Sequence, residues 1–509
     1  MKNRREFAGD LFKVFAGSVI ATQPLLQAVQ AQTGLPIGDL RKSLNIGDGL
    51  IVVPADKGFG GYQASFNLRT TLKPEVRVLC KTPKGIATVI QWARSNNVDF
   101  SVRGMGHCFE DFSQNLKLVI DTRLMTDSSW GAQNSLTVGS GTKLGAVYEE
   151  VETRKLAFPG GSCPNVGIAG HSMGGGYGLL SRPMGLACDN LNSVEIVTAD
   201  GKVINASKNE NEDLFWAIRG GGGGSFGVVS KFTLRTHKIS GVVTYSATWL
   251  LSVAEASKLF RAWQAWAPTA PREITSNTSI AKDKTGKIRL HSTGQSIGSD
   301  ADLRSQVRSW TKGTVPSTPL SFKGRTFMEG VQHFAGNGWD YVPVLMKGRS
   351  DYVTKPISDE GMRTLMNEML KFGPGAISAI CDAYGGAISD PGPDATAFAH
   401  RDALYSIQYY SQWARPSDTN SKLAMSRQVY KAMRPFVSGY AYVNYPDSEL
   451  PDYAHAYWGD NLARLKQIKS KYDPGNVFRH RQSVPPETSS ASSFGQRFDE
   501  LQELFQIGV

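Results

Sequence analysis

A histidine and a cysteine stand in two separate glycine-rich loops. The first loop reads Ser101-Val-Arg-Gly-Met-Gly-His107 and the second Pro159-Gly-Gly-Ser-Cys163-Pro-Asn-Val-Gly-Ile-Ala-Gly-His171-Ser-Met-Gly-Gly-Gly-Tyr-Gly178. Glycine lets a backbone approach a ligand closely and turns its N–H groups toward it. An imidazole and a soft nucleophile in such loops suit a large phosphate-bearing cofactor, held tightly and through covalent bonds. The other cysteines are Cys80, Cys108, Cys188 and Cys381, and no CxxC pair occurs. A zinc site or a thioredoxin-like motif is therefore not expected, and no metal is assigned. An odd number of cysteines leaves at least one thiol without an internal disulfide partner.

A third glycine run, 220–227, contains Gly222-x-Gly224-x-x-Gly227, which matches the dinucleotide fingerprint as a string. That fingerprint requires a strand before it and a helix after it. Here a helical stretch, 213–219, precedes the run and a strand-like stretch, 228–234, follows it. The run reads as a tight turn lining a cofactor cleft, not as a Rossmann site.

These loops need a framework. The chain has 509 residues, 40% hydrophobic and 10% aromatic, which is enough core for a large two-lobed protein. Residues 70–240 alternate strand and helix patterns. Strands are expected at 76–79, 100–102 and 118–121. Helices are expected at 83–96, with Ile86, Val89, Ile90 and Ala93 on one face, and at 142–155. Residues 191–198 and 202–205, joined by Asp200-Gly201, read as a hairpin. From about 240 to 440, strand-like stretches such as 242–249 and 403–410 alternate with helices such as 252–266. The fold class is α+β. A last helix is expected over 458–471, followed by Tyr472-Asp-Pro-Gly-Asn-Val-Phe478. The stretch beyond 483 is Ser-rich and then amphipathic, and is not assigned.

The net charge is +11 but scattered, with no basic run of five, so nucleic acid is not an expected partner. Residues 1–31 read as a leader. Arg4-Arg5 precede Phe7, a modest apolar run spans 14–21, and Val29-Gln30-Ala31 offers small residues before a cleavage point. The paired arginines resemble a twin-arginine export signal. The expectation is passage through the twin-arginine export machinery to a periplasmic or secreted location, with no membrane anchor, since the run is too short to span a bilayer.

Together the His107 and Cys163 loops resemble those of the berberine-bridge-enzyme-like flavoproteins, within the vanillyl-alcohol-oxidase superfamily. The resemblance is strong in the two loops and extends over about 70–240 and 400–482. It implies a two-lobed PCMH-type FAD-binding domain over 32–240, an α+β substrate domain with an antiparallel sheet over 241–440, and a segment from 441 to 509 that returns to the flavin lobe. It implies FAD bound twice, through His107 to the flavin 8α-carbon and through Cys163 to C6. The resemblance also carries Arg103, Gly104, Gly106, Val166, Gly167, Gly170, His171, Gly174 and Asn444 to the cofactor, with Val166 at the position that gates oxygen. It points to Tyr445 of Asn444-Tyr445 as catalytic base, and to Gln408 on a strand face shared with Ser406 and Tyr410. Tyr442 reads as core packing.

Alkaloid-cyclising relatives have a carboxylate where this chain has Gln408, and several alcohol-oxidising ones have a lysine where it has Ser406. A phenol with a pKa near ~10 needs a nearby cation or hydrogen-bond donor to act as a base at neutral pH. Trp249, Trp263, Trp266, Trp310, Trp339 and Tyr341 raise sugar stacking as one substrate option beside core packing.

Three readings stand open at this point. The first is an exported oxidase turning a hydroxyl-bearing small molecule into a carbonyl, with O2 reduced to H2O2. The second is a tailoring oxidase or dehydrogenase of a secondary metabolite. The third is a binding protein on the same scaffold.

Overall fold

Among the described residues three large β-sheets and a two-stranded ribbon, Leu156–Ala157 with His237–Lys238, carry the loops. The structure is a computed structural model and describes residues 34–336, 339 and 342–487. The leader reading over 1–31, Tyr341 and the stretch from 488 onward fall outside the described residues.

The first sheet runs in the order Gly49–Val52, Val76–Cys80, Leu118–Asp121, Phe100–Arg103. Its first pair is antiparallel and the others are parallel. The parallel strands need a crossover, and the helix Pro83–Ser95 provides it. Thr82 caps that helix by accepting from the Gly85 N–H at 3.0 Å, and Pro83 sits where no N–H is needed. Ile86, Val89, Ile90 and Ala93 form its buried face, as their spacing predicts. The second sheet is antiparallel: Ser128–Trp130, Ser135–Gly139, Val228–Arg235, Leu191–Val197, Val203–Ser207. The Asp200-Gly201 turn joins its last two strands, with Gly201 at φ +79°.

The third sheet has seven antiparallel strands, ordered Thr318–Arg325, Val242–Leu251, Ile288–Ser296, Ile274–Lys282, Ser378–Ala383, Tyr405–Trp413, Leu345–Val353. Helices including Val253–Trp266, Asp359–Leu370 and Thr419–Met433 cover one face. Tyr405, Ile407 and Tyr409 point into that core, so Ser406, Gln408 and Tyr410 take the opposite face by the alternation of a strand. Trp249, Trp263 and Trp310 belong to the same core and are at most 6% exposed. The stacking option for these tryptophans is thus replaced by packing: they lie on the covered side of the sheet.

Two helices differ from expectation. The one expected over 142–155 runs Leu144–Glu152, and the chain leaves it through Lys155 at φ +56°. The one expected over 458–471 starts later, as Leu462–Tyr472, because Gly459 at φ +49° ends a separate short helix, Tyr453–Trp458, just before it. This segment packs on the first lobe. Lys471 pairs with Asp213 at 2.6 Å, Arg464 stacks on Trp216, and Phe478 meets Phe100 edge to face. Buried Lys469 ties the turn together, pairing with Asp473 and donating to the Ser225 carbonyl at 2.7 Å. Among the described residues no helix is long and apolar enough to cross a membrane. The five cysteines are all unpaired thiols.

Candidate active site

The strand Phe100–Arg103 delivers the first loop into a cavity of about 540 Å3. A Cβ on Gly104 would meet nothing nearer than 3.9 Å, so this residue opens onto the cavity. Gly106 is glycine for a local reason: its φ is +79°, and a Cβ there would overlap the Arg103 guanidinium. The Arg103 side chain faces away from the cavity that it was expected to serve. It donates to Ser65 Oγ at 2.9 Å and to the Ala64 carbonyl, and sits 3.7 Å from Asp121. His107 lines the cavity with its ring stacked on Phe66 at 4.5 Å. Burial, then the positive charges of Lys143 and Arg103, bring its pKa down to about 4, so the imidazole is neutral at pH 7.

The Cys163 loop is locked by close approach. A Cβ on Gly178 would strike the Gly160 carbonyl, and one on Gly167 would meet Met105, where the two loops touch. His171 lines the cavity and accepts from the Gly161 N–H at 3.0 Å, and burial holds its pKa down at about 4. The Tyr148 hydroxyl donates to the Gly161 carbonyl at 2.6 Å. Cys163 itself faces the cavity, and burial pushes its thiol pKa up. Val166 and Gly170 also line it, while Gly174 packs on Asn444 instead. The turn at 220–227 contributes Gly221 through Ser225 and Gly227 to the lining, and the Met173 carbonyl accepts from the N–H groups of Gly220 and Gly222.

The opposite wall comes from the seven-stranded sheet and from residues 442–446. Asn277, Ile380, Asp382, Gln408, Tyr410 and Tyr445 face the cavity. Tyr445 stacks on Phe109 at 5.4 Å and meets Tyr442 edge to face at 5.0 Å. Tyr442 does more than pack. Its hydroxyl accepts from Gly176 N at 2.8 Å, Tyr177 N at 3.2 Å and Asn444 Nδ2 at 3.0 Å, so it holds the end of the cysteine loop. Asn444 Nδ2 also donates to the His171 carbonyl at 2.9 Å.

Among the described residues no cation stands beside the Tyr445 hydroxyl to help it act as a base. Burial drives its pKa well above the ordinary value, and Asp382, Tyr442, Tyr384 and Cys163 push in the same direction. Asp447, two residues on, is committed to ion pairs with Lys347 at 2.7 Å and with Arg349. The same cluster continues through Lys347 to Glu110, three residues after His107, and from Glu110 to Arg69 at 3.0 Å. On its outer side Arg349 reaches Glu449 at 2.8 Å, and Glu449 reaches Arg427 at 2.6 Å.

Tyr177, Asn277 and Asp382 were not singled out from sequence. Tyr177 sits in Gly174-Gly-Gly-Tyr-Gly178, where a lone large residue among glycines is a signal of its own. Asp382 is the fifth residue of Ser378-Ala-Ile-Cys-Asp-Ala383, a largely apolar strand in which nothing local shows which face meets a cavity.

A sheet-and-loop lobe presenting glycine turns to a cavity, closed by a second antiparallel lobe, defines the class of two-lobed FAD-dependent oxidoreductases. Comparison with known proteins agrees. The family model described as an FAD binding domain matches residues 74–207, and the one described as berberine and berberine like matches 441–485. YgaK, an FAD-linked oxidoreductase of Bacillus subtilis (strain 168), is 33% identical over 445 residues, covering 86% of this chain and 97% of that protein. The solved structure of BBE-like 1 from Physcomitrella patens superposes with a TM-score of 0.82 at 31% identity, covering 88% of this chain and 100% of that one. Chitooligosaccharide oxidase superposes at 0.80 with 27% identity, with the same coverage of both chains. The chain belongs to the berberine-bridge-enzyme-like family of FAD-linked oxidoreductases.

The residues present fit FAD. A Cβ on Gly170 would meet nothing within 4 Å, and on Gly224 nothing nearer than 3.6 Å, so side chains at these glycines would fill space that the cavity keeps open. The donor set is backbone N–H groups, a neutral imidazole and a thiol, which suits a phosphate-bearing flavin.

The buried cluster predicts a graded cost. Lys347→Met leaves Glu110 and Asp447 buried with a cation removed, and should lower the unfolding free energy by about 3–5 kcal/mol. Arg427→Ala, at the outer end where the arginine side chain is 54% exposed, should cost under about 1 kcal/mol. Urea melts of the two variants against wild type check the contrast.

Proposed function

We propose that the protein is an exported FAD-dependent oxidase. It converts a hydroxyl-bearing small molecule, an alcohol or a sugar, into a carbonyl compound while O2 is reduced to H2O2. FAD is linked through His107 to its 8α-carbon and through Cys163 to C6. The observation that carries this reading is that both loops open onto one cavity whose far wall holds Asn277, Asp382, Gln408 and Tyr445. Polar groups facing a flavin site suit a hydroxyl substrate better than an apolar one. One similar structure bears the name of a sugar oxidase, chitooligosaccharide oxidase, which supports that substrate class. Export rests on Arg4-Arg5 and the small residues before 32.

When bound, the flavin supplies an acceptor for the substrate's hydride and a donor of electrons to oxygen. The chain's own residues do the rest. His107 is in its neutral, nucleophilic form, and Phe66 fixes the plane of its ring. Cys163 is exposed to the cavity with its thiol pKa raised by desolvation, so it must lose its proton to form the link. Tyr457, Trp458 and Phe478 of the C-terminal segment line the cavity and exclude water. Val166 keeps a small side chain on the cysteine side of the cavity, where a leucine would occupy more of the space open to oxygen.

Denatured wild-type protein should stay yellow, with an intact mass above that of the polypeptide by one flavin. His107→Ala and Cys163→Ala should each retain one link, and the double variant none. Complete release of flavin from denatured wild type rejects the linkage.

Val166→Leu should slow reoxidation by oxygen far more than reduction by substrate, measured as separate half-reactions in stopped flow. Equal reoxidation in both proteins would make Val166 a packing residue only.

Arg4→Lys/Arg5→Lys should leave the protein in the cytoplasm with its flavin attached, as read by fractionation and absorbance. Normal export of that variant rejects the route.

A further inference from the structure

The sheet face that bounds the cavity continues beyond it. Asn277 and Ile380 line the cavity, and the register carries their face outward across the seven-stranded sheet. Asn277 pairs with Thr293, and Thr293 with Ser246. Ile380 pairs with Ser279, Ser279 with His291, and His291 with Thr248. Directly paired residues share a face of the sheet, so two polar rows leave the cavity side by side. At ~5 Å per strand, His291 stands about 10 Å from Ile380. The outer residues of both rows are half-buried.

Toward its edge this face gathers positive charge. The helix Phe327–Ala335 is wedged between the lobes. Phe327 meets Tyr148 edge to face at 5.6 Å, and Gly330 lies against the sheet, where a Cβ would come 2.8 Å from Val242. One turn on, His333 Nδ1 accepts from Arg325 Nη2 at 3.3 Å, since a guanidinium only donates. The neutral ring therefore keeps its proton on Nε2, as a donor. Arg325 Nε also donates to Thr244 Oγ1 at 3.0 Å, and Lys323 pairs with Thr244 across the ladder. His291 Nδ1 is 2.9 Å from Thr248 Oγ1, and Arg289 lies two residues before it on the same face. Among the described residues none of Arg289, His291, Lys323, Arg325 and His333 forms an ion pair. The carboxyls around them are engaged elsewhere: Glu329 accepts from the Thr326 N–H at 2.9 Å, and Asp382 from Asn277 Nδ2 at 2.6 Å. Like charges set side by side repel, and partly buried ones are screened less than free surface lysines. The imidazoles register that repulsion. Burial, then Arg289, holds the His291 pKa down, and burial, then Arg325 and Lys323, holds that of His333 down.

We propose that this flank binds an anionic group, a carboxylate or a phosphate, on the distal part of an extended substrate whose hydroxyl end enters the flavin cavity. The proposal rests on the oxidase reading above and narrows its substrate class to acidic hydroxyl compounds. Arg325 and Lys323 supply positive charge, and His291 and His333 supply N–H donors. Ser246 and Ser279 offer hydroxyls along the path from the cavity. A neutral substrate of the same length would leave the cations facing one another. An anion replaces that repulsion with charge-assisted hydrogen bonds, which are roughly twice as strong as neutral ones.

The imidazoles give the flank a pH signature. An anion beside them favours their charged form, so both pKa values rise from their depressed values when it binds. Binding therefore takes up protons, and affinity for a carboxylate grows toward the acid side and falls as pH rises. The charged groups facing the two rings are Arg289, Lys323 and Arg325, with Glu329 on the helix and Asp382 toward the cavity. Asp382 acts in the same direction: burial raises its pKa to about 7, and the carboxylate formed above that value opposes an anion. Removing the His333 imidazole separates the two contributions.

The test uses flavin-loaded wild type, Arg325→Gln, Arg325→Lys, His333→Gln and the double variant Arg325→Gln/His333→Gln. Inorganic phosphate is titrated by calorimetry, which needs no turnover. Wild type should bind it, each Gln variant should bind it about tenfold more weakly through loss of one charge-assisted hydrogen bond, and the double variant should not bind it. Arg325→Lys should recover part of the affinity. Two matched pairs are then compared by flavin reduction: cellobiose with cellobiouronic acid, and glucose with glucose 6-phosphate. The acidic member of a pair should have the lower KM in wild type, and that preference should collapse in the double variant and shrink with added salt. Which pair shows it tells a carboxylate from a phosphate. The wild-type preference should also fade as pH rises, and less steeply in His333→Gln. A wild type that binds no phosphate, phosphate binding that the double variant leaves unchanged, or lower KM values for both neutral sugars overturns the proposal. If none of the four sugars reduces wild-type flavin, the reading as a sugar oxidase fails, and the phosphate titration still decides the anion site by itself.

Discussion

The buried ion cluster centred on Lys347 and Asp447 is the constraint on which the site depends. Its members come from three distant parts of the chain. Glu110 follows the His107 loop, Lys347 and Arg349 belong to the seven-stranded sheet, and Asp447 follows Tyr445. A charge taken out of water is costly unless it is paired closely, so each group restricts where the others can stand. Sliding the sheet or the C-terminal segment would strand a charge. The cluster thereby registers the substrate wall against the flavin lobe, and stacking of Tyr445 on Phe109 carries that register into the cavity.

Around this anchor, glycine sets the distances. Gly160 and Gly178 close the ends of the cysteine loop on each other, Gly167 meets Met105 of the histidine loop, and Gly174 admits the Asn444 side chain. Tyr442 and Asn444 then tie the glycine loops to the segment that bears Tyr445. Residues read singly as cofactor contacts act in the structure as a connected clamp. Gly104, Gly170 and Gly224 differ from these, since the space beside them belongs to the cavity.

The wall opposite the glycine loops carries a carboxyl, Asp382, held by Asn277 and Ser406. Across the ladder from Asp382 stands Ser406. A cation would favour an ionised phenol, whereas a carboxylate opposes one. Asp382 thus stands against ionisation of the neighbouring Tyr445 phenol.

Much of this was legible locally. The glycine loops, the capped helix Pro83–Ser95, the Asp200-Gly201 hairpin and the exclusion of a Rossmann turn at 220–227 follow from period, capping and turn chemistry, which act over a few residues. The alternation at 405–410 correctly separated Gln408 from Tyr409. Which way Arg103 points, whether the tryptophans of the second lobe face substrate or core, and what surrounds Asp382 were settled only by the tertiary structure. A strand's period of two says that its faces differ, not what each face meets. The fate of a charge depends on partners that are 100 or more residues away, as Asn277 is from Asp382 (|i−j| = 105). The sequence by itself determined the turns and elements that frame the cavity; the packing of one sheet against distant loops decided which side chains face it.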